Sequence, residues 1–368
     1  MADLATIPEV IAAARANLPK DQWDFAAGGA GAETTIRRNR AAIERYAFKP
    51  RMLRGVQHRN LKTTFLGLDL DVPVLPAPVG SLGRYHPDGP KTVARVLGNL
   101  GAAGFMGGLT TVPMEDVMAE ATGPMLYQIY VRGDREWLLG LVRRVEEAGF
   151  SAVCITADSP VVAYRERNLQ NRFVSGFSPD HPNLMGATGP HSEHQARLDW
   201  EDIAWVRETT KLPLILKGVL TTEDAVLAVE HGVDAVYVSN HGGQELDYAP
   251  ATVDILPSIV EAVAGRAQVI VDSGFLRGTD ILKGLALGAD VVCVGKLLCW
   301  AVAAGGTEGL EQTLGMLRDE MMATMGMLGV NSIAELGPQH LTTEGTQVPA
   351  DATAYGLGMS ENAGRENR

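Results

Sequence analysis

The sequence predicts an α/β fold, a (β/α)8 TIM barrel with an N-terminal helical extension, from three observations. Eight short apolar runs rich in β-branched residues recur along the chain, helix-periodic segments alternate with them, and each run ends abruptly in polar residues or glycine. Nearly continuous apolar strands belong to a parallel sheet covered on its faces, and alternation with helices supplies the cover. Eight such units are what a closed barrel requires.

Residues 1–60 precede the barrel as helical segments, with Leu18-Pro19 opening a new turn and 34–46 amphipathic. The strands are read at 72–77 (VPVLPA), 104–107 (GFMG), 125–130 (MLYQIY), 152–157 (AVCITA), 212–217 (LPLILK), 235–239 (AVYVS), 268–272 (QVIVD) and 291–295 (VVCVG). Helical periodicity occupies 92–100, 135–148, 222–231, 252–264 and 279–287. Thr222, Ser258 and Thr279 are candidate caps, and Gly232 and Gly288 sit where helix ends favour positive φ. The step between the fourth and fifth strands is long. Its extra stretch, 167–198, is rich in Gly, Pro and His and reads as a solvated loop on the rim, with His181, His191 and His194 lacking the company a metal site needs. The domain reading is a helical lead-in (1–60), a barrel (61–341) and a small polar tail (342–368) expected to be poorly ordered.

Charge narrows the function. Lys and Arg number 32 against 44 Asp and Glu, a net charge of −12, and no basic block exceeds a pair, which argues against nucleic-acid binding. No apolar run approaches the roughly 18 residues of a membrane span, and no leader pattern opens the chain. Three cysteines, Cys154, Cys293 and Cys299, lack metal-ligand spacing and read as buried reduced thiols. The expectation is a cytoplasmic protein without membrane contact.

Chemistry in a barrel gathers at the carboxyl ends of the strands. Here those ends carry Gln128 and Tyr130, Thr156 and Asp158, Lys217, Ser239 and His241, Asp272-Ser273-Gly274 with Arg277, and Gly295-Lys296. Glycines beside Arg277 and Lys296 after the last two strands suit a phosphate, since exposed backbone N–H groups and positive charge coincide there.

The blocks LYQIYV, ITADSP, LPLILKGV, VSNHGGQELDYAPAT and VDSGFLRGTDILKGLALGADVVCVGK resemble, in order, the motifs of the FMN-dependent α-hydroxy-acid oxidase and dehydrogenase family, which contains glycolate oxidase, lactate oxidase and mandelate dehydrogenase. The similarity spans about Leu18 to Leu336. It implies FMN-dependent oxidation of a 2-hydroxy acid to the 2-oxo acid. By this resemblance His241 is the base, a role that suits a histidine pKa near working pH. Asp158 orients the ring, Tyr130 contacts the substrate oxygen, and Lys217 favours the anionic reduced flavin. Arg165 grips the carboxylate. The flavin is held by the Pro78-Val79-Gly80 backbone, Gly107, Gln128, Thr156, Lys217, Ser239, Asp272, Ser273, Gly274, Arg277, Gly295 and Lys296. The resemblance further implies a homo-oligomer, tetramer or octamer, a small organic acid as substrate, and O2 or another acceptor for the electrons. It implies no metal.

The chain also departs from that pattern. Phe25 stands where the family has a carboxylate-binding tyrosine, and Gln244 where it has an arginine. Losing one charge-assisted and one neutral hydrogen bond weakens the grip on a small 2-hydroxy acid about 30- to 2000-fold, although Gln244 can still donate a neutral bond. Leu109 replaces a large aromatic, so Phe25 and Leu109 should wall a roomier, more apolar pocket. Gly107 replaces a flavin-contacting serine, Leu276 the first of two arginines, and Lys296 an arginine, which predicts weaker FMN retention. The expected substrate is therefore bulkier or atypical. The alternatives are a flavin barrel acting on an amine or alcohol without a carboxylate, one doing non-redox chemistry, or a flavin-binding protein without turnover; the retained His241 and Asp158 argue against the last.

Overall fold

The computed structural model of the chain describes residues 4–173, 181–187, 191–344 and 346; most of the expected tail lies outside the described residues. Its strands are β1 (Val74–Pro76), β2 (Gly104–Gly107), β3 (Met125–Ile129), β4 (Ala152–Thr156), β5 (Leu214–Val219), β6 (Ala235–Val238), β7 (Gln268–Val271) and β8 (Val291–Val294). They form one parallel sheet in the spatial order 1-8-7-6-5-4-3-2, and β1 comes to lie beside β2, so the sheet curls into the expected barrel. Only β1 and β5 start later than the apolar pattern suggests. Pro73 and Pro213 have no N–H for the ladder and contribute only a carbonyl at its edge, to Val292 and Val153.

Alternation along each strand divides two cores. Leu75, Phe105, Leu126, Cys154, Ile215, Tyr237, Ile270 and Cys293 fill the barrel, whereas Val74, Met106, Tyr127, Val153, Leu216 and Val292 face the helices. All three cysteines are free and buried, as expected. Among the described residues no helix is long and apolar enough to cross a membrane, and no cluster of candidate ligands could hold a metal ion.

The lead-in comprises α1 (Ile7–Asn17), α2 (Lys20–Ala27) and α3 (Thr34–Arg45). A capping box on Thr6 starts α1, and Pro19, which has no N–H to lose, starts α2. The lead-in docks on the barrel: Trp23 stacks on Trp300 of the long C-terminal helix (Lys296–Leu328), 5.8 Å between ring centroids. Gly232 and Gly288 have positive φ, as expected. The caps differ by position. Thr221, not Thr222, caps its helix, Thr279 lies inside a helix that follows Arg277, and Ser258 lies mid-helix with its hydroxyl donating to the Ile255 carbonyl.

The segment after β4 corrects the reading of a solvated loop. Residues 174–180 and 188–190 lie outside the described residues, but His181, Asn183, Leu184 and Gln195 are buried. Gln195 bonds the Val131 N–H and the Thr156 carbonyl, both at 2.7 Å, while Asn183 accepts from Met114 N–H and donates to two carbonyls. Asn183 and Gln195 sink here because each satisfies backbone groups that the rim leaves unpaired.

Candidate active site

Four side chains from four strand ends meet at the rim. Tyr130 Oη lies 3.1 Å from His241 Nε2, and His241 Nδ1 lies 3.1 and 3.2 Å from the two oxygens of Asp158. Lys217 Nζ sits 3.3 Å from Nδ1 and 3.5 Å from Asp158. A carboxylate only accepts and an ammonium only donates, so Nδ1 cannot hydrogen-bond both. The two short contacts to Asp158 favour a proton on Nδ1, which leaves the Nε2 lone pair towards Tyr130 and makes Lys217 a partner of the carboxylate.

Burial pushes the Asp158 carboxyl up, but Lys217 and His241 outweigh it and hold it down at about 2. Burial also opposes charge on Lys217; Asp158 and Asp272 overcome it and raise its pKa. Burial pushes the Tyr130 phenol well above its usual range. Asp158 and Lys217 are therefore a charged pair at neutral pH, flanked by the Tyr130 phenol and the His241 ring.

Local backbone explains how these groups come together. Gly218 has φ +107°, and a Cβ there would lie 2.4 Å from Asp158 Cβ, so only glycine lets β5 bring Lys217 against Asp158. His241 itself has φ +57°, unusual for a non-glycine residue and a form of strain found at functional sites. Its turn is held from three sides. Ser239 Oγ accepts from His241 N–H, Ser273 Oγ accepts from the N–H groups of Asn240 and Gly242, and the Asn240 side chain accepts from Gly243 N–H. Asn240 also exchanges reciprocal amide bonds of 2.9 and 2.7 Å with Asn39 of α3. Gly218, Asn39 and Asn240 were not among the residues expected from sequence; Asn240 lies inside the SNHGG block, whereas the pairing of Asn39 is a tertiary fact.

These groups open into a cavity of about 540 Å³, within the range of small-molecule and cofactor sites. Phe25, Leu109, Tyr130, Arg165 and Gln244 all line it, as do Pro78, Val79, Gly80, Lys217, Asp272, Ser273, Gly274, Gly295 and Lys296. Gly107 lies behind the wall. A Cβ on it would be 2.5 Å from Gly80 N, so the Val79-Gly80 backbone passes where a serine side chain would project. Gln128 and Thr156 are buried and bonded to each other at 2.8 Å, and Gln128 Oε1 has no hydrogen-bond partner among the described residues.

Four expected contacts come out differently. Arg277 does not line the cavity; its guanidinium pairs with Glu320 at 2.7 Å. Lys296 faces the cavity but donates to the carbonyls of Ala26, Ala27 and Gly28 at 2.7–3.2 Å, and burial pulls its pKa down to about 7. Gln244 spends its amide N–H groups on the Phe25 and Gly28 carbonyls. Arg165 is tied to the Gln244 carbonyl at 2.8 Å and to the Glu245 carboxylate at 2.6 Å. Each is satisfied by a neighbour that single-residue reasoning did not include.

Comparison with known proteins agrees with this geometry. The model of the family described as FMN-dependent dehydrogenase matches residues 14–343. The chain is similar to glycolate oxidase 1 of Zea mays, 37% identical over 95% of this chain and 99% of that one. It is 39% identical to a peroxisomal (S)-2-hydroxy-acid oxidase of Oryza sativa subsp. japonica over 91% and 95%. Among solved structures, mandelate oxidase superposes with a TM-score of 0.86 at 36% identity, covering 92% of this chain and 98% of that one.

Proposed function

The chain belongs to the FMN-dependent dehydrogenase family, and from that premise we propose that it oxidises a bulky or otherwise atypical 2-hydroxy acid to the 2-oxo acid, using FMN. The observation that carries the reading is the contact set Tyr130–His241–Asp158–Lys217, because binding alone needs neither an oriented imidazole nor a buried carboxylate beside it. The apolar wall of Phe25 and Leu109, with Gln244 bonded to backbone, supports the larger substrate.

The residues fit FMN. The buried, unmet Oε1 of Gln128 suits the single imide N–H of an isoalloxazine, although Gln128 itself does not line the cavity, and the loop 272–276 with Gly295 and Lys296 forms part of the cavity wall. When bound, FMN supplies the acceptor for two electrons. Lys217 would neutralise negative charge arising on the ring. His241 Nε2 takes the proton from the substrate, and Asp158 holds the imidazole in that tautomer and stabilises its charged form. Tyr130 Oη, donating towards Nε2, lies where it can transfer its hydrogen bond to the substrate oxygen.

The oxidase names of the relatives support O2 as the electron acceptor. The three free, buried thiols support a cytoplasmic location, and the family resemblance supports a homotetramer. The test is anaerobic bleaching of the visible flavin band by a substrate panel. Aryl or long-chain 2-hydroxy acids should bleach it faster than glycolate or lactate. Bleaching only by amines or simple alcohols would replace this reading with the non-carboxylate donor.

A further inference from the structure

The guanidinium expected to hold the substrate's carboxylate is already occupied. Arg165 Nη2 lies 2.6 Å from Glu245 Oε1, its Nε donates to a carbonyl, and both partners of the ion pair are mostly shielded from water, with side chains 18% and 12% exposed. Such a pair is close to neutral as seen from the cavity. A carboxylate arriving there must displace Glu245 or accept its repulsion.

A second guanidinium faces the same cavity without that handicap. Arg84 lines it from the short 3-10 turn Leu82–Arg84, partly buried, and makes no side-chain hydrogen bond or ion pair with a described residue. Its contacts are with rings. Its guanidinium lies 5.0 Å from the Phe173 centroid and 5.8 Å from that of Phe25, the two rings being stacked at 4.9 Å. Arg165 lies at the same 5.8 Å from Phe25, so two cations flank one ring, one of them compensated. An aromatic support fixes a guanidinium without using its five donors, which remain free for a planar anion.

We infer that Arg84, and not Arg165, is the specificity-determining cation that receives the carboxylate of the substrate, with Glu245 silencing Arg165. The proposal rests on the 2-hydroxy-acid reading above and specifies the acid class: one whose apolar body lies along Phe25 and Phe173 while its carboxylate meets Arg84.

The experiment is calorimetric titration of FMN-loaded enzyme with 2-oxo-2-phenylacetate and with its uncharged amide, neither of which requires turnover. Arg84→Met should weaken the acid about 10- to 100-fold, the range of one charge-assisted hydrogen bond, and the amide less than about twofold. Arg84→Lys should restore part of the loss. In steady state the Met variant should raise KM while leaving kcat near its wild-type value. Equal melting temperature and flavin content establish that the variant is folded. The inference is overturned if Arg165→Met carries the loss instead, if Glu245→Gln tightens the acid tenfold by releasing Arg165, or if the wild type does not prefer acid to amide. Flavin bleaching by 2-hydroxy acids decides the underlying reading separately, since it can succeed while Arg84 proves silent.

Discussion

The two ends of the cavity are built on opposite plans. At the reacting end, Tyr130, Asp158, Lys217 and His241 are turned towards one another from strand termini, and their charges reinforce a single arrangement. At the anion-binding ends, the expected cations are turned towards the protein: Arg165 to Glu245, Arg277 to Glu320, Lys296 to three carbonyls. Side chains at the ends of rigid strands contact one another, while the expected cations on the loops are satisfied by neighbouring protein groups. On that division rests the proposal that the chain shares the reaction type of its relatives but takes a different substrate.

The largest expected effect breaks the reacting end. His241→Ala removes the proposed proton acceptor and should slow flavin bleaching about 10²- to 10⁴-fold, measured by stopped flow with unchanged flavin content. If the variant bleaches at the wild-type rate, the contact set at the reacting end is structural and the comparison collapses.

The next effect sharpens the phosphate end. Lys296 has its pKa lowered to about 7, against about 10.4 for an ordinary lysine, so above pH 7 the flavin-free protein holds mostly a neutral amine there. A phosphate favours the ammonium, so docking takes up a proton and affinity falls as pH rises, by up to about tenfold per unit. Below pH 7 the dependence from this group disappears. Fluorescence titration with FMN between pH 6 and 9 measures it, and Lys296→Arg, always charged, should flatten the slope.

The smallest effect concerns Arg277. Glu320→Gln releases it from a partly exposed pair of the kind worth about 0.2–1 kcal/mol, so FMN affinity should tighten by no more than about fivefold. A larger gain would mean that the pair, and not the loop, keeps this cation out of the cavity.

Much of the frame was legible in the chain because barrel strands are apolar along their whole length and turn polar at one end. That signal also carried His241, Asp158, Lys217 and Tyr130, each at a strand terminus within a motif. Arg84 was not legible: it follows no strand end closely and acquires meaning only from Phe25 and Phe173, distant in sequence. Glu245 carries no signal of its own beside Gln244, because its importance is the bond to Arg165. The segment after β4 misled by composition, since polar residues such as Asn183 and Gln195 are buried when they close backbone bonds.

The lead-in has a consequence for how the molecule is made. Asn39 finds its partner 201 residues later, and the carbonyl of Ala26 meets Lys296 270 residues later. At about 5–20 residues per second of synthesis, the first helices must wait roughly 15 to 50 seconds for the surface that receives them. During that interval the faces carrying Trp23, Ile36 and Ile43 have nothing from the barrel to cover them, and the catalytic loop has no brace. The beginning of the chain is thus among the last parts to find its place, and the enzyme becomes competent only when its two ends have met.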